Sequence, residues 1–594
     1  MAFVTFVLLG VALAIGFVPA WLLRHAARRS AQDDFVAAPH TRLAVVRNAS
    51  IAYALRVAAF VPLFVWGASG DLLPAVVASG CFGLGTWLVY LARRPLLEFL
   101  DDSLAGSRSV TVHAFIARAH GNDPRVRLVA ASVTLCALFG LVIGEALAAA
   151  AFLGPMLKAN ATLAALLFLA TLLSIGATAA LSGHGGIMHS AQLQLGMLYF
   201  GLFGAALLVL YLHVSARAPL PPHVGVAVAF TAVFSVLVLW YRRSRYVDTE
   251  TIRSGAAEEP AEGSRSARAL GRSGKILNGC LSVLLVLIVI VALMDLRAAD
   301  ASALARDSAA ALASGTRVSR PALLALILVP LFYPLVDVTN WLRLAAARKD
   351  VGIEPEESAA ALRGAFAVYA SETTLVGLVV CAFGAIAGVV FAPQGTTDVV
   401  EALAAQLVSP DNGVAGIASA LLAICILAAT LSTTGALLAA GLCTLRYDVL
   451  APVRPAATRD PASEATARQR TLVAGVAGLA VAFATAAAVV SASFRIGAAG
   501  GFVIALVSML CCAQLAFAPL VLGPIVARAR GGHGAVSAGW ALAILVVGFG
   551  AGVAAVAGYL ATGVDAWLWS AAPAALGSGF ALFAIGRAAS SRAR

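Results

Sequence analysis

The residues of this sequence best suited to bind an ion lie in an apolar segment between residues 414 and 442. Ala429, Ser432 and Thr433 are spaced i, i+3 and i+4 there, so a helix presents them on one face. A backbone carbonyl and two hydroxyl groups on one face predict an oxygen site for a small hard cation such as sodium. The alternative is that the hydroxyls bond to the carbonyl four residues earlier, or to a neighbouring helix.

Ionisable residues inside apolar segments are the next candidates, because such groups are rare in membranes and usually functional. Glu145 lies at the centre of its segment, so we expect it to be paired, protonated or lining water. Arg56 precedes Pro62 in another segment, where a proline frees carbonyls that a cavity or ion must satisfy. For Arg56 we expect the side chain to reach toward the membrane surface.

Residues 333–343 bring a proline, a carboxylate and an amide into one half of a crossing. Pro330 and Pro334 predict a broken helix, and broken helices of transporters carry the substrate site. Tyr333, Asp337 and Asn340 are therefore candidate substrate-binding residues. An ordinary proline kink, with Asp337 paired to Arg343, is the alternative.

The composition assigns the chain to the membrane proteins. Of its 594 residues 61% are hydrophobic and only 12% are charged, far from the balance of a soluble domain of this length. The net charge of +12 comes from arginines and lysines in short loops beside apolar segments, which orient a polytopic protein and do not indicate nucleic-acid binding. The eight cysteines show no spacing typical of a zinc site or a disulfide framework.

Taking roughly 20 apolar residues per crossing, the sequence predicts about fifteen membrane helices. They are Phe3–Leu23, Asn48–Trp66, Leu72–Ala92, Leu128–Leu153, Leu163–Leu181, Ala191–Leu212, Val224–Trp240, Ile276–Met294, Ala322–Leu344, Thr373–Ala392, Val414–Leu442, Thr471–Val490, Gly501–Val526, Ala535–Leu560 and Trp567–Ile585. Every second loop is rich in arginine, which predicts an N-terminus outside and a C-terminus in the cytoplasm. Only the outer loop after Met294 departs from this pattern.

Several short motifs together resemble the sodium/solute symporter family. They are Asp34–Ala37 before the second crossing, Ser182–Gly186, which resembles the family's Ser-Gly-Gly motif, Trp341–Ala346, which resembles its Gln-Arg and Ala-Ala run, and Ala429 with Ser432 and Thr433, followed by Asp448. The resemblance implies an all-α polytopic membrane protein with the LeuT-like 5+5 inverted repeat and extra peripheral helices.

The resemblance also implies roles for single residues. A sodium site between the first core helix and the helix of Ser432 would take carbonyls matching Val57 and Phe60, together with Ala429, Ser432 and Thr433. Glu145, on the third core helix, and Tyr333, Asp337 and Asn340, on the sixth, would face the substrate cavity. The acidic residue that the family often has after the Ser-Gly-Gly motif is Gln194 or Gln192 here, so no further coupling ion is expected.

The sequence departs from the family by an apparent inserted hairpin of two crossings. The expected organisation is a first peripheral helix and loop at 1–47, a first core repeat at 48–214, the hairpin at 215–319, a second core repeat at 320–528 and peripheral helices at 529–594. Residues 242–275 inside the hairpin are rich in Glu, Ser, Gly and Ala, a composition typical of a disordered linker.

These observations predict a secondary active transporter of the inner membrane, in which sodium drives the symport of a small organic solute by alternating access. A proton acting at Glu145 or Asp337 could replace sodium. The second hypothesis is a symporter-like sensor without transport, ranked lower because we expect no signalling domain beyond the last crossing. A membrane enzyme ranks third, since His184 and His189 lack a partnering nucleophile or metal cluster in the sequence, and a channel ranks below it. No cofactor is expected; the partners are the solute, sodium and the lipid bilayer.

Deleting residues 254–264 from the linker should leave membrane expression and activity nearly unchanged. A solvated loop contributes few contacts, and loop length changes closure entropy only logarithmically. The measurement is the yield of folded protein in membranes together with solute uptake. Loss of expression after the deletion would show that the segment docks on the membrane domain.

Overall fold

The computed structural model describes most of the chain, and the following statements refer to those residues. They are 7–18 (without 8 and 15), 43–105, 109–156, 161–216, 224–239 (without 234 and 238), 279–294 (without 280 and 281), 318–350, 355–391, 413–450, 461–496, 512–529 and 534–592. The linker at 242–275 and the motif Asp34–Ala37 lie outside the described residues.

The described residues are helical and include no strand. In chain order the helices are α1 (Leu43–Ala54), α2 (Val57–Ala68), α3 (Leu72–Leu91), α4 (Arg93–Ala105), α5 (Val112–Ala119), α6 (Pro124–Met156), α7 (Ala161–Ser215), α8 (Arg320–Val336), α9 (Val338–Asp350), α10 (Pro355–Phe391), α11 (Gly413–Cys443), α12 (Pro461–Ile496), α13 (Phe517–Ala529), α14 (Ala538–Thr562) and α15 (Asp565–Arg592). A π-helix at Thr444–Leu450 continues α11, and a 3-10 turn at Ala513–Ala516 precedes α13.

The helices are those of a multi-pass membrane protein. Within the described residues, eight are long and apolar enough to cross a bilayer, and ten crossings result if each of two bent helix pairs is counted as one. Shorter apolar helices, among them Leu9–Val18, Val224–Leu237 and Ser282–Met294, fall inside other predicted crossings. The all-α membrane class is thus confirmed, while the count of about fifteen stays a prediction.

Each half of the chain opens with a bent helix pair. The axes of α1 and α2 meet at 54°, and the part of α9 up to Ala346 is bent by 43° against α8. The halves pack against each other: α10 lies against α2 and α3, α8 against α3, and α11 against α7. The two breaks are thereby enclosed by helices of the opposite half, where the candidate site residues lie. The predicted domain boundaries stay a prediction.

The segment predicted to be a loop between two crossings around residue 185 is helical. Helix α7 runs through it with a kink at Gly183, whose φ of 58° and ψ of −156° only glycine adopts readily. His184 and His189 therefore lie on a membrane helix just beyond the kink. The kink turns the second half of α7 so that His184 is buried in the bundle.

Exposed side chains identify the lipid-facing surface. Leu84, Leu173, Val473 and Val546 are each more than half exposed, as expected for a surface solvated by lipid tails. In the most apolar stretches of α10 and α11, 67% of residues are buried, against 22% for Thr466–Val489 in α12. Helices α10 and α11 are therefore central, and α12 is peripheral.

The predicted inserted hairpin packs on the core where it is described. Thr231 and Ile288, one from each of its helices, line a narrow crevice with Leu210 of α7 and Phe383 of α10. The described part of the hairpin thus packs on two core helices, α7 and α10.

Backbone-to-backbone packing holds α2 against α10 through glycines. A Cβ at Gly384 would lie 2.0 Å from the carbonyl oxygen of Phe64, and one at Gly67 would lie 1.9 Å from that of Cys381. Such close crossings through small residues are typical of membrane helices. They fix the position of α2 and hence of the break that precedes it.

Gly384→Ala should lower the thermal stability of the purified protein by the equivalent of about 1–3 kcal/mol, the usual effect of overpacking. The matched control is Gly364→Ala on the same helix, where nothing lies within 4 Å of the added Cβ. Melting temperatures in detergent give the comparison. Equal effects of the two substitutions would contradict the close crossing.

Candidate functional site

The first helix break is held open by a carboxylate from a distant helix. Helix α1 ends at Ala54, Arg56 is extended, and α2 begins at Val57. The backbone N–H groups of Val57 and Ala58 donate to Oε1 and Oε2 of Glu145, at 2.7 and 3.0 Å. The first N–H groups of a helix have no partner within it and favour a negative charge. Glu145 of α6 therefore caps α2.

The cap leaves backbone carbonyls at the end of α1 without their usual donors. In a continuous helix, Val57 and Ala58 would donate to Tyr53 and Ala54, but here both donate to Glu145. Ala59 donates to the carbonyl of Arg56, so Leu55 loses its donor as well. The broken helix thus offers adjacent carbonyl oxygens, at the negative end of a half-helix, which suits a cation.

Helix α11 supplies hydroxyl groups that behave in two different ways. Thr430 donates to the carbonyl of Ile426 at 2.9 Å, and Thr434 donates to that of Thr430. Ser432 Oγ is buried with no hydrogen-bond partner, and Thr433 Oγ1 has no hydrogen bond of ordinary geometry. Bonding back to the helix thus accounts for Thr430 and Thr434 only.

Of the two hydroxyls that do not bond back to α11, that of Thr433 lies near the break. Thr433 neighbours the Glu145 carboxylate, which in turn binds the start of α2, and α11 packs against both α1 and α2. Ala429 is buried one turn earlier on the same face. The structure therefore places Thr433 next to the first helix break, and the cation site of Ala429, Ser432 and Thr433 stays a prediction.

The predicted carbonyl ligands Val57 and Phe60 lie beyond the break, inside α2. Helical geometry directs their carbonyls to N–H groups of the next turn, whereas the carbonyls of Tyr53, Ala54 and Leu55 precede the break and lack such donors. Val57 and Phe60 stay a prediction, and the hydrogen bonding favours the end of α1 as the source of ligands.

Pro62 does not mark the position of the break. Pro62 lies within α2, where its missing N–H leaves the carbonyl of Ala58 without a donor. The bend occurs before it, at Arg56, because the Glu145 cap is there. Arg56 does not extend toward the membrane surface. Its guanidinium lies over the rings of Tyr53 and Tyr333, at 4.8 and 5.1 Å.

The second break is centred on Asp337. Its Oδ1 accepts from the backbone N–H of Thr339 at 3.0 Å, which caps α9. Asn340 Nδ2 donates to the carbonyl of Pro334 at 2.9 Å, and Trp341 Nε1 donates to that of Leu335 at 2.8 Å. The predicted broken helix is present, and the Asn340 amide stabilises it.

Polar groups without partners gather between the two breaks. The buried atoms that lack a hydrogen bond there are Tyr53 Oη, both ring nitrogens of His184, Asp337 Oδ2, Thr339 Oγ1, Arg343 Nη1 and Tyr369 Oη. The Tyr53 and Thr339 hydroxyls neighbour each other, so the other groups are the clearest orphans. Buried polar groups are normally paired, and a cluster that is not indicates a site for a polar ligand.

A cleft leads from this cluster to one side of the bundle. Its open space is about 500 Å³, and Arg47, Asn340, Arg343 and Tyr369 contribute its polar walls together with Ser50 and Thr86. Its wall comes from α1, the C-terminal half of α3, α9 and the first half of α10. The cleft therefore adjoins the orphan cluster at Arg343 and Tyr369.

Sequence reasoning passed over several residues of this cluster. Tyr53, His184 and Tyr369 were not candidates, nor was Glu372, which accepts from the hydroxyl of Tyr199 at 2.8 Å. Tyr369 and Glu372 are spaced i and i+3 on α10, a polar pair at the edge of an apolar segment. That spacing was the available signal. Gln194 is buried and donates to Ser190 Oγ at 3.0 Å.

The far end of α11 is fixed by a buried ion-pair network. Asp448, in the π-helix, accepts from Ser109 at 2.9 Å and from Arg127 Nε at 2.8 Å, and its Oδ2 lies 2.9 Å from His113 Nδ1. His113 also contacts Thr134 Oγ1 at 2.7 Å. This network ties α11 to α5 and α6, so the hydroxyl face is held at one end.

In the part of the chain described, no group of three or more His, Cys, Asp or Glu side chains could hold a metal ion. The carbonyl and hydroxyl groups instead suit a weakly held hard cation.

The whole structure is similar to that of a known transporter. No family model matches the sequence, and no curated protein sequence does either. A Na+-coupled sialic acid symporter, solved in a substrate-bound outward-open state, matches with a TM-score of 0.59 and 11% sequence identity, over 98% of this chain and 97% of that chain. At this identity the likeness shows the fold. It confirms the fold expected from the resemblance to the sodium/solute symporters.

Glu145→Gln should lower the stability of the protein by about 1.5–3 kcal/mol, since a neutral amide replaces a charge-assisted cap and aims an N–H at the helix start. Thermal unfolding in detergent measures this. The control is Glu98→Gln, because Glu98 is 59% exposed and its pair with Arg528 is also exposed, so it should change stability by less than about 0.5 kcal/mol. Unaltered stability of Glu145→Gln would refute the cap.

Proposed function

We propose that this protein is a secondary active transporter that couples the entry of sodium to the uptake of a small organic solute. The observation that carries the proposal is that hydroxyl oxygens of α11 and carbonyl oxygens at the end of α1 both lack their usual hydrogen bonds within a helix. Neither the Ser432 nor the Thr433 hydroxyl bonds back to α11, Thr433 neighbours Glu145 at the break after α1, and the carbonyls that end α1 have lost their donors. Groups that are buried and unsatisfied on both sides of one contact are what a bound cation would satisfy.

A cation in this position would act as a bridge between two parts of the bundle. It would bind the broken helix α1 and α2 on one side and α11, which the Asp448 network anchors, on the other. A bound ion favours the conformation in which both sets of oxygens are within reach, and its loss releases that preference. Sodium binding is thus coupled to the position of the broken helix, and alternating access follows from this coupling.

Proton coupling is the second candidate. The hydrogen bonds of Glu145 and Asp337 distinguish the two carboxylates at which a proton could act. Glu145 uses both carboxylate oxygens to accept N–H groups of α2, so a proton there would compete with the cap. Asp337 has Oδ2 without a partner and could accept a proton. Uptake driven by a pH gradient in the absence of sodium would support this form of coupling.

We further propose that the protein lies in the inner membrane with its N-terminus outside and its C-terminus in the cytoplasm. The basic loops support this orientation. The cleft then opens to the cytoplasm, because it lies at the N-terminal end of α1 and along α9. A solute released from the orphan cluster would leave through it.

Uptake into proteoliposomes distinguishes a transporter from a sensor. The purified full chain would be tested with radiolabelled amino acids, monocarboxylates and sugars, with and without an inward sodium gradient. Accumulation above equilibrium that collapses when the gradient is dissipated supports symport. Sodium-dependent stabilisation of the protein without accumulation of any of these solutes would favour a sensor.

Ser432→Ala and Thr433→Val should each raise the sodium concentration that gives half-maximal uptake by about tenfold to a hundredfold. Each removes one oxygen from a charge, which is worth roughly 1.5–3 kcal/mol. Solute affinity at saturating sodium should change much less.

The matched control for this experiment is Thr434→Val. The Thr434 hydroxyl donates to its own helix, so its removal should leave the sodium dependence nearly unchanged. An equal sodium shift for Thr434→Val and the two site variants would show that the hydroxyls stabilise the helix and do not bind the ion.

A further inference from the structure

Two arginine side chains in the membrane core lie over the same tyrosine ring. The guanidinium carbon of Arg343 is 4.5 Å from the ring centre of Tyr53, and that of Arg56 is 4.8 Å from it. Arg56 comes from the first helix break and Arg343 from α9, beyond the second break. The two breaks thus place two positive charges next to each other.

Neither guanidinium makes a hydrogen bond or an ion pair with any described residue. Arg343 is only 5% exposed, and its Nη1 is fully buried without a partner. Asp337 neighbours both arginines but does not come within ion-pair distance of either. Aromatic rings compensate a buried guanidinium only in part, and an unpaired buried charge costs several kcal/mol by order of magnitude.

None of the nearby carboxylates forms an ion pair with either arginine among the described residues. Glu145 binds the N–H groups of α2, and Glu372 accepts from Tyr199. Asp337 uses Oδ1 to cap α9 and keeps Oδ2 without a partner. The cluster therefore combines unused donors on the arginines with one unused acceptor on Asp337, and the partnerless hydroxyl of Tyr369 lies among them.

The route to this cluster has the same electrostatic character. The wall of the cleft includes Arg47 and Arg343 and no Asp or Glu side chain among its lining residues. A cleft lined by one sign of charge attracts ligands of the opposite sign.

We infer that the solute is a small carboxylic acid that also carries a hydrogen-bond donor. Its carboxylate binds Arg343 and Arg56, and its hydroxyl or amino group donates to Asp337 Oδ2. Guanidinium and carboxylate match in planar geometry, which makes this the pairing that satisfies the most unused donors. The inference rests on the proposed transport function and names the class of its solute.

Ligand-induced stabilisation of the purified full chain in detergent tests the inference. Thermal unfolding would be followed with the carboxylates lactate, gluconate and alanine and with the matched amides lactamide, gluconamide and alaninamide, each with and without sodium. At least one carboxylate should raise the melting temperature, and its amide should not. Stabilisation by an amide equal to that by its acid, or no stabilisation by any of the acids, overturns the inference.

Propionate isolates the role of Asp337, because it has the carboxylate of lactate without the hydroxyl. Lactate should bind more tightly than propionate to the native protein, and this preference should disappear in Asp337→Asn. A preference for lactate that persists in Asp337→Asn would overturn the assignment of the acceptor.

Substitution of Arg343 separates a ligand contact from a structural one. Arg343→Gln should raise the carboxylate concentration for half-maximal stabilisation about tenfold to a hundredfold. Its melting temperature without ligand should be equal to or above that of the native protein, since an unpaired buried charge is removed. Arg343→Lys keeps the charge but loses the planar fork, so its affinity should be intermediate. The control is Arg125→Gln, at an exposed position, which should leave both measurements unchanged.

The response to sodium distinguishes this inference from the proposed function. Retained stabilisation by sodium in Arg343→Gln shows that the variant is folded. A carboxylate response without any sodium response would support the anion site and refute sodium coupling. A sodium response without any carboxylate response would refute the anion site and leave the proposed coupling intact. An unchanged carboxylate response in a folded Arg343→Gln would likewise refute it.

Discussion

The carboxylate of Glu145, accepting the first N–H groups of α2, is the interaction on which the rest of the site depends. Within a membrane each unsatisfied backbone group costs several kcal/mol by order of magnitude, so a helix can break only where other groups replace its hydrogen bonds. Glu145 satisfies the N–H side of the break and leaves the carbonyl side open. One interaction therefore both permits the bend and creates oxygens suited to a cation.

At the second break, side chains close in sequence replace the lost backbone hydrogen bonds. Asp337, Asn340 and Trp341 replace the lost hydrogen bonds from within a few residues of the bend. Because these side chains satisfy most of the backbone there, the groups left unused are side-chain atoms such as Asp337 Oδ2. In the proposed function, the first break provides backbone oxygens for the ion and the second provides polar side chains for the solute.

Tyr53 connects the two sets of groups. Its carbonyl belongs to the donor-free end of α1, and its ring carries the guanidinium groups of Arg56 and Arg343. A displacement of this one residue would change both the cation ligands and the anion contacts. Coupling of the ion to the solute then needs no separate pathway, because the two proposed sites share a residue. The Asp448 network fixes one end of α11. A movement at the break would therefore occur relative to an anchored helix.

The sequence by itself determined the membrane class, the face shared by Ala429, Ser432 and Thr433, and the break between Pro334 and Asn340, because hydropathy, helical spacing and proline act over short distances along the chain. Only the tertiary structure decided where the first helix breaks, since the cap comes from Glu145, 88 residues from Val57. Pro62 does not locate this break, because a proline removes a hydrogen-bond donor but does not show which group replaces a lost hydrogen bond. The same holds for Tyr53, His184 and Tyr369, whose polar atoms are enclosed by helices from both halves. A buried polar atom lacks a partner only if none of its neighbours in the folded protein provides one. The spacing of residues along the sequence does not show this.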